Sequence, residues 1–172
     1  TVAYTIYGNG ADSPPFGAFE TPADGAMVAS SIAVTGWVLD DIGMQAVKIY
    51  RGTGLSDRIY IGDAVFVEGA RPDVVVAYPD YPQNCKAGWG YMLLTNFLPN
   101  GGNGYYRLHA YAYDAEGHGF AMGSKVFVCD NANSVRPFGT IDSPEMGATI
   151  SGSSYVSFGW ALTPRPKTVP FD

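Results

Sequence analysis

Apolar residues recur mostly at every second position along this chain, and no stretch sustains a 3.6-residue period over three turns. Residues 32–39 (IAVTGWVL) read as a strand stopped by Asp40, Asp41 and Gly43. Residues 44–50 form the next, with Val47 and Ile49 on one face and Lys48 and Tyr50 on the other. Arg51-Gly52-Thr53-Gly54 turns the chain into a long connection reaching Lys86. That connection holds two apolar runs, 59–67 and 74–78, with Pro72, Pro79 and Pro82 between and after them. Strands over 90–98, 105–113 and 120–129 follow, separated by the Pro99–Gly104 loop and the Asp114–Gly117 turn. About seven strands in about 120 residues predict an all-β fold, a β-sandwich.

One local pattern refines this. Leu98, a Pro-Gly-Asn loop and then Tyr106 place a tyrosine at the start of the penultimate strand. A tyrosine corner occupies that position in immunoglobulin-like sandwiches. The alternation puts Trp37, Leu94, Leu98, Tyr106, Leu108, Ala110 and Val126 in the expected core.

The chain repeats itself. Pro15-Phe16-Gly17 leads through Thr21-Pro22, Gly25 and Ser30-Ser31 to Gly36-Trp37. Pro137-Phe138-Gly139 leads through Ser143-Pro144, Gly147 and Ser153-Ser154 to Gly159-Trp160. Backward, the segment Val2–Tyr7 precedes the first motif much as Lys125–Cys129 precedes the second. The expected organisation is three segments. Residues 1–13 are the last strand of a preceding repeat or a donated strand, 14–134 a complete sandwich, and 135–172 the first strands of a following, incomplete repeat.

These residues carry a resemblance. The motifs are Gly36-Trp37 with Leu39-Asp40-Asp41, the stretch Val67–Val74, the block Ala87–Gly104, and Cys129-Asp130-Asn131-Ala132 followed by Pro137-Phe138-Gly139. Over nearly all of residues 14–163 the chain resembles bacterial tandem immunoglobulin-like repeats of secreted and surface proteins. The resemblance implies an immunoglobulin-like Greek-key sandwich acting as a spacer, stalk or surface module, and it supplies no catalytic residue.

Composition narrows the function classes. The net charge is −6, and the ten Lys and Arg are scattered singly, so the basic footprint of a nucleic-acid binder is absent. No apolar run approaches the ~18 residues of a membrane helix. Two His and two Cys do not supply the common closed zinc sites. An extracellular or cell-surface location is the expectation.

Four groups of residues are candidates for chemistry. Asp40, Asp41, Asp114 and Glu116 end two strands that a sandwich would bring to one end, a candidate calcium site of hard oxygen ligands. Asp before Gly is also ordinary turn chemistry. Otherwise no cofactor is expected, and no nucleophile–base pair or facing carboxylates point to an enzyme. Tyr50, Tyr105, Arg107, His109, Tyr111 and Tyr113 share one outer face, suited to a surface glycan or a protein partner unless the long connection folds across it. Cys85 and Cys129 are expected to pair, with Cys129 pointing outward beside Phe127 and the bond stapling that connection. Val2, Tyr4 and Ile6, with Val156, Phe158 and Trp160, give the flanking segments apolar faces. Unpaired strands of this kind are filled by copies of the chain or by adjacent repeats, through β-strand addition that builds a stalk, sheath or filament.

Overall fold

In a computed structural model, residues 13–54, 56–134 and 138–162 are described, and the chain divides into two units between Ala132 and Asn133. In the first unit eight strands form one curled sheet. They are β1 (Phe16–Thr21), β2 (Ala26–Val28), β3 (Ser31–Leu39), β4 (Met44–Arg51), β5 (Ile59–Phe66), β6 (Gly88–Leu94), β7 (Asn103–Asp114) and β8 (Gly119–Asp130). Their order is β1-β3-β6-β5-β4-β7-β8-β2. Strand β5 turns the corner: it pairs with β4 along most of its length and then passes Val65 and Phe66 to β6. One layer is therefore β1-β3-β6 and the other β4-β7-β8-β2. Chain crossings at β3–β4 and β6–β7 make the immunoglobulin-like Greek key.

The sandwich closes because each layer turns one parity of its strands inward. Ile32, Val34 and Val38 from β3, Val47 and Ile49 from β4, Leu108, Ala110 and Ala112 from β7, and Phe127 and Cys129 from β8 are all buried together. Phe19, Trp89, Leu93 and Leu98 complete this core. The tyrosine corner is present: the Tyr106 hydroxyl donates to the Pro99 carbonyl and also approaches the Asn103 carbonyl at 3.1 Å, while its ring packs on Phe127.

Three members of the expected core lie elsewhere. Leu94 is exposed, Val126 lies in the outward parity of β8, and Trp37 lies on the opposite face of β3 from Val34 and Val38. Trp37 instead anchors a second, smaller cluster. The connection after β5 forms helix α1 (Pro72–Ala77), with proline in its first turn, and a 3-10 turn, Asn84–Lys86. Both lie against the outside of β1 and β3, where Leu39, Val74 and Ala87 are buried with Phe16, Trp37, Tyr78 and Tyr81. Arg71 stacks over Trp37 and pairs with Glu20 at 2.7 Å and Asp73 at 2.6 Å.

The second unit is a two-stranded antiparallel hairpin of β9 (Phe138–Ser143) and β10 (Phe158–Leu162). Its register repeats that of β1 and β3. Phe16 faces Leu39, Gly17 faces Val38, Ala18 faces Trp37 and Phe19 faces Gly36 before a shift of register. Phe138 faces Leu162, Gly139 faces Ala161, Thr140 faces Trp160 and Ile141 faces Gly159 before the corresponding shift. The recurring Gly-Trp has a steric cause. A Cβ on Gly36 would stand 2.0 Å from the Ala18 carbonyl oxygen, and one on Gly159 would stand 2.2 Å from that of Thr140. Only glycine lets the facing strand approach so closely.

Candidate functional site

The outward row of β7 carries Tyr105, Arg107, His109, Tyr111 and Tyr113, as alternation required once Leu108, Ala110 and Ala112 were inward. Pairing sets Tyr50 opposite His109 and Lys48 opposite Tyr111. The long connection does not cover this face. Strand β5 extends it instead, setting Tyr60 opposite Tyr50 and bringing Arg58 over the sheet. The sequence reading missed Arg58 and Tyr60 because they stand at the start of an apolar run that was expected to act as a cover.

The rings meet edge to face. Tyr50 lies 5.7 Å from Tyr60 at 65° and 5.7 Å from Tyr111 at 89°. The Arg58 guanidinium stacks 4.4 Å above Tyr111 and 5.3 Å from Tyr50, and Lys48 Nζ lies 5.6 Å over Tyr113. Burial raises the Tyr50 pKa, helped by a hydrogen bond with the Tyr113 hydroxyl. Interaction with the Asp63 carboxylate raises the Tyr60 pKa, and Asp63 stands opposite Lys48 across the strand pair. His109 is buried, its Nε2 bonded to the Gly52 carbonyl at 3.1 Å, and so serves the β4–β5 turn rather than the surface.

At the end of the sheet where β7 begins and β4 ends, a groove of about 600 Å³ is lined by Arg51, Thr53, Asp57, Ile59, Tyr105, Tyr106 and Arg107, among others. Tyr105 is 81% exposed there. The Thr53 hydroxyl and amide, with the Gly54 amide, hold the Asp57 carboxyl at a pKa of about 2, so it is a fixed anion in the groove.

The loops after β3 and β7 do share one end of the sandwich, joined by the Ala115 amide donating to the Gly43 carbonyl at 2.9 Å. Asp40 Oδ2 accepts from the Ile42 and Gly43 amides, each at 2.9 Å. Asp114 Oδ1 accepts from the Glu116 and His118 amides at 2.9 and 2.8 Å, and Oδ2 meets His118 Nδ1 at 3.1 Å. Burial pushes the Asp114 carboxyl upward, but these donors outweigh it and hold the pKa below the ordinary value. Potential ligand atoms of Asp114, Glu116 and His118 lie within 4.8 Å of one another. Among the described residues Asp40 and Asp41 do not join that group, while the Asp40 and Asp114 carboxylates each cap the turn that follows their strand.

The expected Cys85–Cys129 bond is corrected by the structure, in which both thiols are free. Cys129 and Phe127 point into the core, not outward, because β8 turns that parity toward β7's inward row, while Cys85 is exposed. Of the assembly candidates, Val2, Tyr4 and Ile6 lie outside the described residues. Val156, Phe158 and Trp160 are exposed, by 70%, 62% and 48%.

Among the described residues no helix is long and apolar enough to cross a membrane. No protein-family model and no curated protein matches the sequence. Among solved structures, fibronectin(III)-like modules of Clostridium thermocellum CbhA align at 12% identity and a TM-score of 0.41, covering 87% of this chain and 64% of that one. A cycloalternan-degrading enzyme from Trueperella pyogenes aligns at 12% identity and a TM-score of 0.37, covering 84% of this chain and 20% of the enzyme. The chain thus spans less than two thirds of either. The immunoglobulin-like assignment of this chain rests on its own strand order and crossings.

Proposed function

We propose that this chain is a stretch of a tandem array of immunoglobulin-like sandwiches, serving outside the cell as the load-carrying part of a stalk, sheath or filament. The observation that carries this reading is the β9–β10 hairpin, which repeats the β1–β3 register residue for residue, including the shift beside the close-approach glycine. In the first unit β1 and β3 are covered by the facing layer of β4, β7 and β8 on one side and by α1 and the 3-10 turn on the other. In the second unit the equivalents stand open: Ile141 is 75% exposed where Phe19 is 6% exposed. A hairpin with two apolar faces is stable only when covered. The complement it fits is the remainder of such a sandwich, in an adjacent repeat or another copy.

The test is a graft. A second copy of residues 40–132 is joined after Leu162, and amide exchange is followed by mass spectrometry. The expected result is slow exchange over β9 and β10 together with a second cooperative unfolding step. Rapid exchange over both strands in the grafted chain would overturn the repeat reading.

A further inference from the structure

We propose that the outer face of β5, β4, β7 and β8 is a binding site for a carboxylated polysaccharide, with Arg58 and Arg107 receiving its carboxylates and Tyr105 stacking on a sugar ring. This does not depend on the array reading. Three observations carry it. The first is the state of Arg58. Its guanidinium is stacked over Tyr111 and Tyr50, and among the described residues no carboxylate pairs with it. Stacking fixes the plane of the fork while leaving its in-plane N–H donors directed outward, the geometry that takes a carboxylate with two hydrogen bonds. Lys48 Nζ is likewise held over a ring, that of Tyr113.

The second observation is charge. Lys48, Arg51, Arg58 and Arg107, four of the ten Lys and Arg of a chain of net charge −6, gather on this face and its groove, with Asp57 and Asp63 among them. The complementary ligand is an anion.

The third observation selects among anions. The groove is lined by the exposed Tyr105 ring together with Arg51 and Arg107, the Thr53 turn and the ionised Asp57, and Arg58 follows Asp57 in the chain. A sugar ring offers an apolar C–H face to Tyr105 and hydroxyl donors to Asp57, whose oxygens accept three bonds from the turn and retain capacity for another. An acidic polypeptide offers carboxylates, and amide donors in its backbone, but neither sugar hydroxyls nor the flat C–H face of a sugar ring for Tyr105. The uronate class therefore fits, with guanidinium groups for its carboxylates and the aspartate for its hydroxyls.

Polygalacturonate is the probe, measured by titration calorimetry on the full chain, with amylose as the neutral glycan and poly-L-glutamate as the polyanion without sugar. Polygalacturonate is expected to bind, amylose not to, and poly-L-glutamate to bind at least about tenfold more weakly. Arg58→Ala and Tyr105→Ala should each weaken polygalacturonate binding by about tenfold or more, and Arg58→Lys should not restore it, because an ammonium cannot form the bidentate pair. Lys86→Ala, on the other layer's 3-10 turn, should leave binding unchanged. Tyr105 is exposed, so its variant keeps the test valid even if removing Arg58 loosens the sheet; thermal unfolding of each variant reports this. No binding of polygalacturonate, equal or tighter binding of poly-L-glutamate, or full affinity in Tyr105→Ala would each overturn the proposal. Preference for poly-L-glutamate would point to an acidic protein surface instead.

Discussion

The β1–β3 pair and the β9–β10 hairpin share a register, a close-approach glycine and a Gly-Trp step, yet they live in opposite environments. In the first, Phe19, Val34 and Val38 are sealed against the facing layer, and Trp37 is enclosed by Phe16, Tyr78 and the Arg71 guanidinium. In the second, Phe158 and Trp160 face outward. Backbone pairing is set by local sequence, whereas the energy that makes a strand pair persist comes from burial against elements far along the chain. Each large apolar side chain fully buried contributes about 1.5–3 kcal/mol, and a paired strand without that burial is marginal.

Equal substitutions in the two regions should therefore have unequal effects. The largest contrast is Phe127→Ala, which opens a cavity in the sandwich core and should cost about 3–5 kcal/mol, against Phe158→Ala, which should change the same unfolding midpoint by less than about 0.5 kcal/mol. Denaturant unfolding followed by tryptophan fluorescence measures both; comparable losses would mean that the hairpin is part of the folded core. Next comes glycine. Gly36→Ala drives a methyl into the Ala18 carbonyl and the Trp89 ring and should cost about 1–3 kcal/mol, while Gly159→Ala meets the same carbonyl clash and should leave the main transition in place. A third contrast lies within the sandwich. Tyr106→Phe removes the corner's hydrogen bonds while keeping the ring on Phe127, for a loss of about 0.5–1.5 kcal/mol visible as a lower Tm.

The smallest effect is electrostatic. Asp114 has a folded-state pKa below its unfolded value, so its contribution is fully present above the unfolded pKa, near 4, and disappears as pH falls through the lower folded value. Stability measured from pH 6 to pH 2 should decline over that acidic window. Asp114→Asn should flatten the decline, and an unchanged acid limb in this variant would show that the turn does not couple to folding.

How far the sequence could be read follows from how each strand divides its apolar residues. Strand β7 alternates small or apolar residues with Tyr, Arg and His, so its inward row and the tyrosine corner were legible. Strand β3 has apolar residues in both parities, Ile32, Val34 and Val38 in one and Ala33, Trp37 and Leu39 in the other, because both of its faces are covered. Alternation cannot choose a face there, and the bulkiest residue, Trp37, pointed to the wrong one. Strand β8 poses the same problem: Val126 and Val128 compete with Phe127 and Cys129. Choosing the wrong parity turned Cys129 outward and made a disulfide look natural. Helix α1 was hidden by its length, since six residues show no helical period, although Pro72 and Asp73 are ordinary first-turn residues. Of the candidate face, the β7 and β4 members were legible. Arg58 and Tyr60 depended on which strand β5 would join, and that is a tertiary choice.

The split of the first strand has a mechanical meaning. After pairing antiparallel with β3, the chain crosses over and β2 runs parallel to the end of β8, with Gly25 donating to the Val126 carbonyl, Asp24 accepting from the Val126 amide, and Asn131 accepting from the Ser30 amide, each at 2.7 Å. Pulling residue 13 and residue 130 apart loads the β1–β3 pair first and, through it, draws β2 backward and β8 forward along a common axis. These bonds then lie across the line of force and must rupture together, whereas a terminal antiparallel hairpin would unzip one bond at a time. A linkage loaded in this way resists stretching more than a hairpin with the same number of bonds pulled open from one end.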